Sequence, residues 1–299
     1  MDDSVLEGGK SGSIAFSTET TIQDGRCRRN HAIRTVERRN PIDRIHLLWD
    51  ELNDFGPGST ASALEHCMRS ICGWIGAQNA FWAGTVHMAR GKTAACDPTL
   101  GWRIGGVHVL NNEYTSHERL CKWMQALRTS EPGQTTRAVV AAAGQFRVSS
   151  LGTGFVDNDA FQKTAHYDYF YREPGISDRI WAAFPVNVDT ESLFVFDTYD
   201  AGRNFSTDEL HAVSQALRGV KWFHCRLLLS RGLGISDKPL SPSEQRIIPE
   251  LLTGAAEKLI AQRLNLTPAT VHQYVTGVYR KFGVHGRTEF MSLWLHGRP

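Results

Sequence analysis

The sequence predicts two folded domains: an α+β domain with an antiparallel sheet and flanking helices, then a small all-α domain of four helices. The chain of 299 residues is 41% hydrophobic, enough for two cores of ordinary size. Hydrophobic spacing is helical at first, then changes to that of strands, and it is helical throughout after residue 240. We therefore place a tail at residues 1–40, the first domain at 41–235 and the second at 236–299.

Residues 1–40 are predicted to be a disordered tail, because Gly, Ser and Thr are frequent and no periodicity is present. The stretch from Arg26 to Arg39 contains six arginines and a single acidic residue, Glu37. A solvated tail is favoured over a basic arm that contacts a polyanion.

The first domain starts with helical patterns and then alternates between strands and helices. The predicted elements are helices from Pro41 and from Ser59, strands Ala80–Met88 and Gly105–Leu110, a helix His117–Arg128, and strands Arg179–Val188 and Ser192–Thr198. The two earlier strands are expected to form a hairpin. Residues 130–178 show no clear pattern.

One long helix is predicted to close this domain. Ser206 and Glu209 form a capping box at its start, and Gly232 to Gly234 end it. Its apolar residues follow a heptad-like spacing: Leu210, Val213, Leu217, Val220 and Leu227. This rhythm predicts packing on the sheet, continued against a second subunit.

The last sixty residues contain four amphipathic helices. The first begins with Ser241 as a cap, Pro242 at the first helical position and Glu244 completing a capping box. Pro249 lies inside this helix, where a proline ordinarily costs about 3 kcal/mol, so we expect an altered packing angle. A second, shorter helix follows, from Ala256 to Leu264.

The third of these helices, Pro268–Phe282, is preceded by Thr267 as its cap. One stripe along it is apolar: Val271, Val275, Val278 and Phe282. The opposite stripe is polar: His272, Gln273, Thr276 and Arg280. A solvated surface helix would share this pattern, but the distribution of charges around it favours a binding function.

No acidic residue occurs from Lys258 to Thr288, although the net charge of the whole chain is only +2. The basic residues of this stretch are Lys258, Arg263, Arg280, Lys281 and Arg287. Phosphates would be attracted to such a surface in a salt-dependent way. The pattern therefore predicts nucleic-acid binding by the second domain.

Residues 240–291 resemble the LuxR/GerE-type helix-turn-helix of bacterial transcriptional regulators. The matching stretches are Leu-Ser-Pro-Ser-Glu at 240–244, Ile260-Ala261 with Arg263-Leu264, Leu266-Thr267 with Thr270-Val271-His272, the run 279–284, and Arg287-Thr288-Glu289. The resemblance implies that the third helix enters the major groove of double-stranded DNA and that the fourth supports dimerisation.

Carried onto this sequence, the resemblance implies two sets of DNA contacts. The expected readers of base edges are His272, Gln273 and Thr276. The expected phosphate contacts are Thr270, Arg280, Lys281 and Arg287.

The order of elements in residues 41–235 is similar to that of a GAF or PAS sensor domain, and residues 197–209 resemble the end of a GAF domain. No catalytic constellation, cofactor motif or metal-ligand spacing is present, so we expect neither an enzyme nor a cofactor or metal. Asp157-Asn158-Asp159 is interpreted as a helix cap. The polar aromatic cluster of residues 166–171 is interpreted as a strand edge rather than a ligand pocket.

No apolar run is long enough to cross a membrane and no signal peptide is present, while six cysteines without a CxxC pair fit reduced thiols in a cytoplasm. The leading hypothesis is a cytoplasmic, homodimeric regulator of transcription. Its alternative is a ligand-gated receptor of the acyl-homoserine-lactone type, with a small molecule bound by the first domain. A phosphoacceptor receiver is disfavoured because the opening elements are helical.

Overall fold

A computed structural model describes residues 40–88, 97–114, 118–119, 121–122, 125, 133–234 and 240–296. Residues 45–299 form one compact unit, which contains the second predicted domain and all of the first except residues 41–44. The predicted tail up to residue 39 and the linker 235–239 lie outside the described residues. So does most of the helix predicted at 117–128, of which residues 118, 119, 121, 122 and 125 are described and helical.

The part of the chain that the structure describes contains five strands and nine helices that are each at least eight residues long. In chain order they are α1 (Pro41–Asp54), α2 (Thr60–Ile75), β1 (Asn79–His87), β2 (Trp102–Val109), α3 (Gln134–Ala141), β3 (Arg147–Ser150), β4 (Asp178–Asn187), β5 (Thr190–Thr198), α4 (Thr207–Arg218), α5 (Lys221–Ser230), α6 (Pro242–Leu252), α7 (Glu257–Leu264), α8 (Pro268–Phe282) and α9 (Arg287–His296). Within the described ranges, no helix is both long and apolar enough to span a membrane.

The strands form one antiparallel sheet in the order β2-β1-β5-β4-β3. The predicted hairpin of β1 and β2 is confirmed, with Trp82 opposite His108. β5 is the central strand and is buried along its whole length. The α+β architecture with an antiparallel sheet is therefore confirmed, while the GAF or PAS assignment stays a prediction.

The sheet is covered on both faces, and alternate residues of one strand reach different cores. On β5, Phe194 and Phe196 enter the core formed with helices α2, α4 and α5, whereas Leu193 and Val195 enter the opposite core. The opposite core also receives Tyr171 from the segment that the sequence pattern left unassigned.

The prediction of a single closing helix over residues 206–232 is wrong. The structure has two helices in this stretch, α4 and α5. The indole Nε1 of Trp49 donates a hydrogen bond of 2.8 Å to the carbonyl oxygen of Ala216. In a continuous helix that carbonyl would accept from the N–H of Val220. A Cβ at Gly219 would lie 2.3 Å from the Trp49 ring, so glycine permits this close approach.

The aromatic cluster of residues 166–171 does not form a strand edge, contrary to the expectation. It lies on the single-turn helix Ala165–Tyr167 and on a π-helical turn, Asp168–Arg172. The cap predicted nearby is confirmed, since Asp157 Oδ1 accepts from the backbone N–H of Ala160 at 3.2 Å.

The second domain consists of α6 to α9 around its own core, as predicted. α6 continues through Pro249, which lies against the turn Pro57–Ser59 of the first domain. At the same boundary, Arg231 Nη1 donates to Gln245 Oε1 at 3.0 Å. The proline therefore occupies the side of α6 that meets the first domain.

Candidate nucleic-acid interface

Helix α8 has sharply defined ends, which fix the direction of its side chains. Thr267 Oγ1 accepts from the backbone N–H of Thr270 at 3.1 Å, and Pro268 occupies the first turn. Gly283 ends the helix in the left-handed conformation, with φ of 63°. The predicted buried stripe is confirmed: Val271, Val275, Val278 and Phe282 all lie in the core.

The polar stripe of α8 is exposed, as the spacing predicts. His272, Gln273, Thr276 and Arg280 are all exposed on this side. We call these four residues the polar stripe. Their spacing of three and four places them along one helical face, where base edges in a major groove could be reached. Contact with bases by His272, Gln273 and Thr276 stays a prediction.

Acidic side chains from earlier helices reach into the acid-free stretch and pair with three of its side chains. Glu244 Oε2 lies 2.6 Å from Lys281 Nζ. The two other pairs are Glu250 with Arg263 at 2.8 Å and Glu257 with His272 at 3.1 Å. The basic character of the stretch is therefore reduced in the folded domain.

The pair of Glu244 and Lys281 is the least exposed of the three, with 10% and 21% of the side chains accessible. Burial alone would raise the pKa of Glu244, but hydrogen bonds from Lys281 and Ser241 outweigh it and hold the pKa below its usual value. A Cβ at residue 277 would lie 3.2 Å from Glu244 Oε1, so Gly277 leaves room for the carboxylate beside α8. Lys281 thus fastens α8 to α6.

The remaining predicted phosphate contacts differ in their surroundings. Thr270 is half-buried, and its hydroxyl lies 2.8 Å from that of Thr267, within the helix cap. Within the described ranges, Arg280 and Arg287 form no ion pair, and the same holds for Lys258. Among the described residues, no carboxylate therefore competes with a phosphate for these three cations. Their role in binding stays a prediction.

Glu257 was missed because the sequence pattern suggested no function for it. It is the first residue of α7, a position where an acidic side chain interacts favourably with the helix dipole. That signal explains the residue type without indicating its partner, which lies fifteen positions later in the chain.

The first domain contains a buried ion pair on the face of the sheet that carries the aromatic cluster. Arg179 Nε and Nη2 donate to the two carboxylate oxygens of Asp197 at 2.5 and 2.8 Å. The guanidinium also lies over the ring of Tyr171, 4.8 Å from its centroid. Beside this pair, burial and the positive charge of Arg179 lower the pKa of His166 to about 4.

Comparison with known proteins gives a family for the second domain. Residues 238–294 match the family model of bacterial regulatory proteins, luxR family. Over 60 residues the chain is 37% identical to GfsR of Streptomyces halstedii, named as an HTH-type transcriptional regulator, covering 20% of this chain and 24% of that protein. Over 91 residues it is 34% identical to the HTH-type transcriptional regulator Mb0914c of Mycobacterium bovis, covering 30% of this chain and 9% of that protein.

The chain thus spans less than a quarter of the length of either relative. The crystal structure of SdiA from Escherichia coli aligns with a TM-score of 0.42 and 12% identity, over 86% of this chain and 98% of that one. With its four helices, its cap-defined third helix and its match to the family model, the segment 238–294 is a helix-turn-helix domain of the luxR family of bacterial regulatory proteins.

Proposed function

We propose that this chain is a bacterial regulator of transcription that binds specific double-stranded DNA as a homodimer. The observation that carries the proposal is the exposed polar stripe of α8, which lies opposite the buried stripe in a luxR-family domain. In this proposal, His272, Gln273 and Thr276 contact base edges in the major groove. Arg280 and Arg287 contact phosphates, with Thr270 beside them at the helix start.

Regulation by a luxR-family domain requires no catalytic step, and we propose no enzymatic activity. We propose a cytoplasmic location, because bacterial DNA lies in the cytoplasm. A homodimer would bind two half-sites about one helical turn, or roughly 10 base pairs, apart. Sedimentation of the full chain with and without a selected duplex tests the stoichiometry of two chains per duplex.

Selection from a pool of randomised duplexes tests the DNA-binding proposal directly. The full chain should enrich a two-fold related motif, and its affinity should fall with salt concentration. Gln273→Ala should relax the preference at particular base pairs, whereas Arg280→Ala should weaken binding to all duplexes and lower the salt slope by about one. Failure to enrich any sequence, or salt-independent binding, would overturn the proposal.

A second candidate, a regulator gated by a small molecule, is favoured by the surroundings of His166. Its half-buried ring lies 4.7 Å from that of Phe170, and among the described residues it makes no hydrogen bond. A polar ligand at this aromatic face would supply the missing partner. Native mass spectrometry of the purified chain, and of its His166→Ala variant, should then detect a co-purified small molecule in the first sample alone.

A further inference from the structure

We infer that Glu257 is a positioning residue that sets how His272 reads a base. The inference rests on the proposed DNA binding by α8, and it adds a specificity-determining residue outside the recognition helix. Glu257 lies on α7, whereas every predicted base contact lies on α8.

The carboxylate of Glu257 contacts one specific nitrogen of the imidazole. Glu257 Oε2 lies 3.1 Å from His272 Nδ1, so the opposite nitrogen, Nε2, is left for another partner. The side chain of His272 is 70% exposed, and that of Glu257 is 36% exposed. The imidazole is therefore accessible to DNA while one of its nitrogens is already engaged.

The chemistry of this contact determines what Nε2 offers. An ionised carboxylate can only accept hydrogen bonds, so Nδ1 carries the proton in the pair. In the neutral ring, Nε2 then has a lone pair and accepts a hydrogen bond. In the major groove, a hydrogen-bond acceptor is complementary to the N6 amino group of adenine or the N4 amino group of cytosine. Glu257 thus selects for an amino-bearing base opposite His272.

The contact is better explained by orientation than by stability. A carboxylate–imidazole hydrogen bond this exposed contributes little to the free energy of unfolding, commonly less than about 1 kcal/mol. A carboxylate near the DNA also repels phosphates, so it lowers the affinity for every sequence alike. A group that weakens general binding and fixes one tautomer serves discrimination between sequences.

Two substitutions at residue 257 separate the hydrogen bond from the charge. Glu257→Ala removes both, whereas Glu257→Gln removes the charge and keeps an oxygen that can accept from Nδ1–H. Glu250, which pairs with Arg263, offers matched controls with the same charge changes, Glu250→Ala and Glu250→Gln. The measurement is base enrichment by the full chain at pH 8 from a pool of randomised duplexes.

The wild-type chain should enrich adenine or cytosine at one position of each half-site, and His272→Ala should remove that preference. Glu257→Ala should reduce the enrichment there by about 3- to 10-fold and leave other positions unchanged. Glu257→Gln should restore it, and both Glu250 variants should retain the wild-type profile. Glu257→Ser, with a side chain suited to a helix start, is a second variant that lacks the long acceptor.

Three outcomes would contradict the inference. Glu257→Ala and Glu257→Ser could retain the wild-type profile, Glu257→Gln could lose the preference as fully as alanine, or the Glu250 variants could change the same position. A wild-type chain that enriches no sequence would instead refute the proposed function. The two failures are therefore distinguishable in one experiment.

Discussion

His224 is a fully buried histidine whose neutral form is built into the first domain. Its Nε2 donates to the carbonyl oxygen of Leu217 at 2.9 Å, and its Nδ1 lies 2.8 Å from Ser192 Oγ. The hydroxyl of Ser192 also accepts from the indole of Trp82 at 2.8 Å. Phe184 stacks on the imidazole with ring centroids 4.3 Å apart. Helix α5 is thus joined to β1 and β5 by one satisfied network.

We expect this network to make the domain sensitive to acid. Burial lowers the pKa of His224 from 6.5 to about 4. Between these values the unfolded chain binds a proton that the folded chain does not, so stability is complete above pH 6.5 and falls as the pH approaches 4. Between pH 6.5 and pH 4, the free energy of unfolding should fall by about 3 kcal/mol. Urea unfolding at several pH values measures this fall. In His224→Gln the dependence on pH should be shallower by one proton, and equal slopes would contradict this account.

Lys281 provides a second prediction, in which a structural role is separated from DNA binding. Lys281→Ala removes the cation beside the Glu244 carboxylate, which is only 10% exposed and would keep the backbone N–H of Ser241 as a donor. We expect a loss of about 1–3 kcal/mol in the free energy of unfolding. Arg280→Ala, on the exposed side of the same helix, should change stability by less than about 0.5 kcal/mol and still weaken DNA binding. Chemical unfolding of both variants and their affinities for one duplex provide the test.

At the scale of elements, the break between α4 and α5 depends on a tryptophan from α1. Gly219→Ala would favour a helix by propensity, yet its Cβ would lie 2.3 Å from the Trp49 ring. We therefore expect destabilisation by about 1–3 kcal/mol in thermal or urea unfolding. Gly73, inside α2, has open space around its Cβ position, so Gly73→Ala should stabilise by about 0.5–1 kcal/mol. Stabilisation by both alanines would show that Trp49 does not set the break.

The two helices also show where prediction from sequence stops. Local signals predicted the starts of α4, α6 and α8, because their caps lie within three residues of the side chains they serve. The end of α4 could not be predicted in this way, since the residue that fixes it is distant in the chain. The same holds for β3 and the short helical turns of residues 147–172, whose burial depends on the sheet.

The candidate interface, too, could be predicted from sequence only where its features depend on neighbours in the chain. Periodicity along one helix placed His272, Gln273 and Thr276 on a common exposed face, and the structure agrees with that placement. Counting charges along the chain predicted a basic surface, but Glu244 and Glu257 come from other helices and offset part of it. Which cations remain for phosphate is therefore a property of tertiary structure.

At the scale of the whole molecule, the two domains share helix α5 as a structural link. Leu228 belongs to the core of the first domain, whereas the adjacent Leu229 belongs to the core of the second. The turn Pro57–Ser59 adds a second connection, because it lies against Pro249 of α6. With these contacts formed, we expect the two domains to unfold together.

The contact at Gly58 allows this coupling to be tested. A Cβ at Gly58 would lie 3.1 Å from the carbonyl oxygen of Pro249, so Gly58→Val should push the turn away from α6. No atom lies within 4 Å of the position that a Cβ would take at Gly56, which makes Gly56→Val a matched control. We expect calorimetry to show one transition for the wild type and the control, and two for Gly58→Val, with about 1–3 kcal/mol of coupling lost. A single transition in all three proteins would mean that α5 alone carries the coupling between the domains.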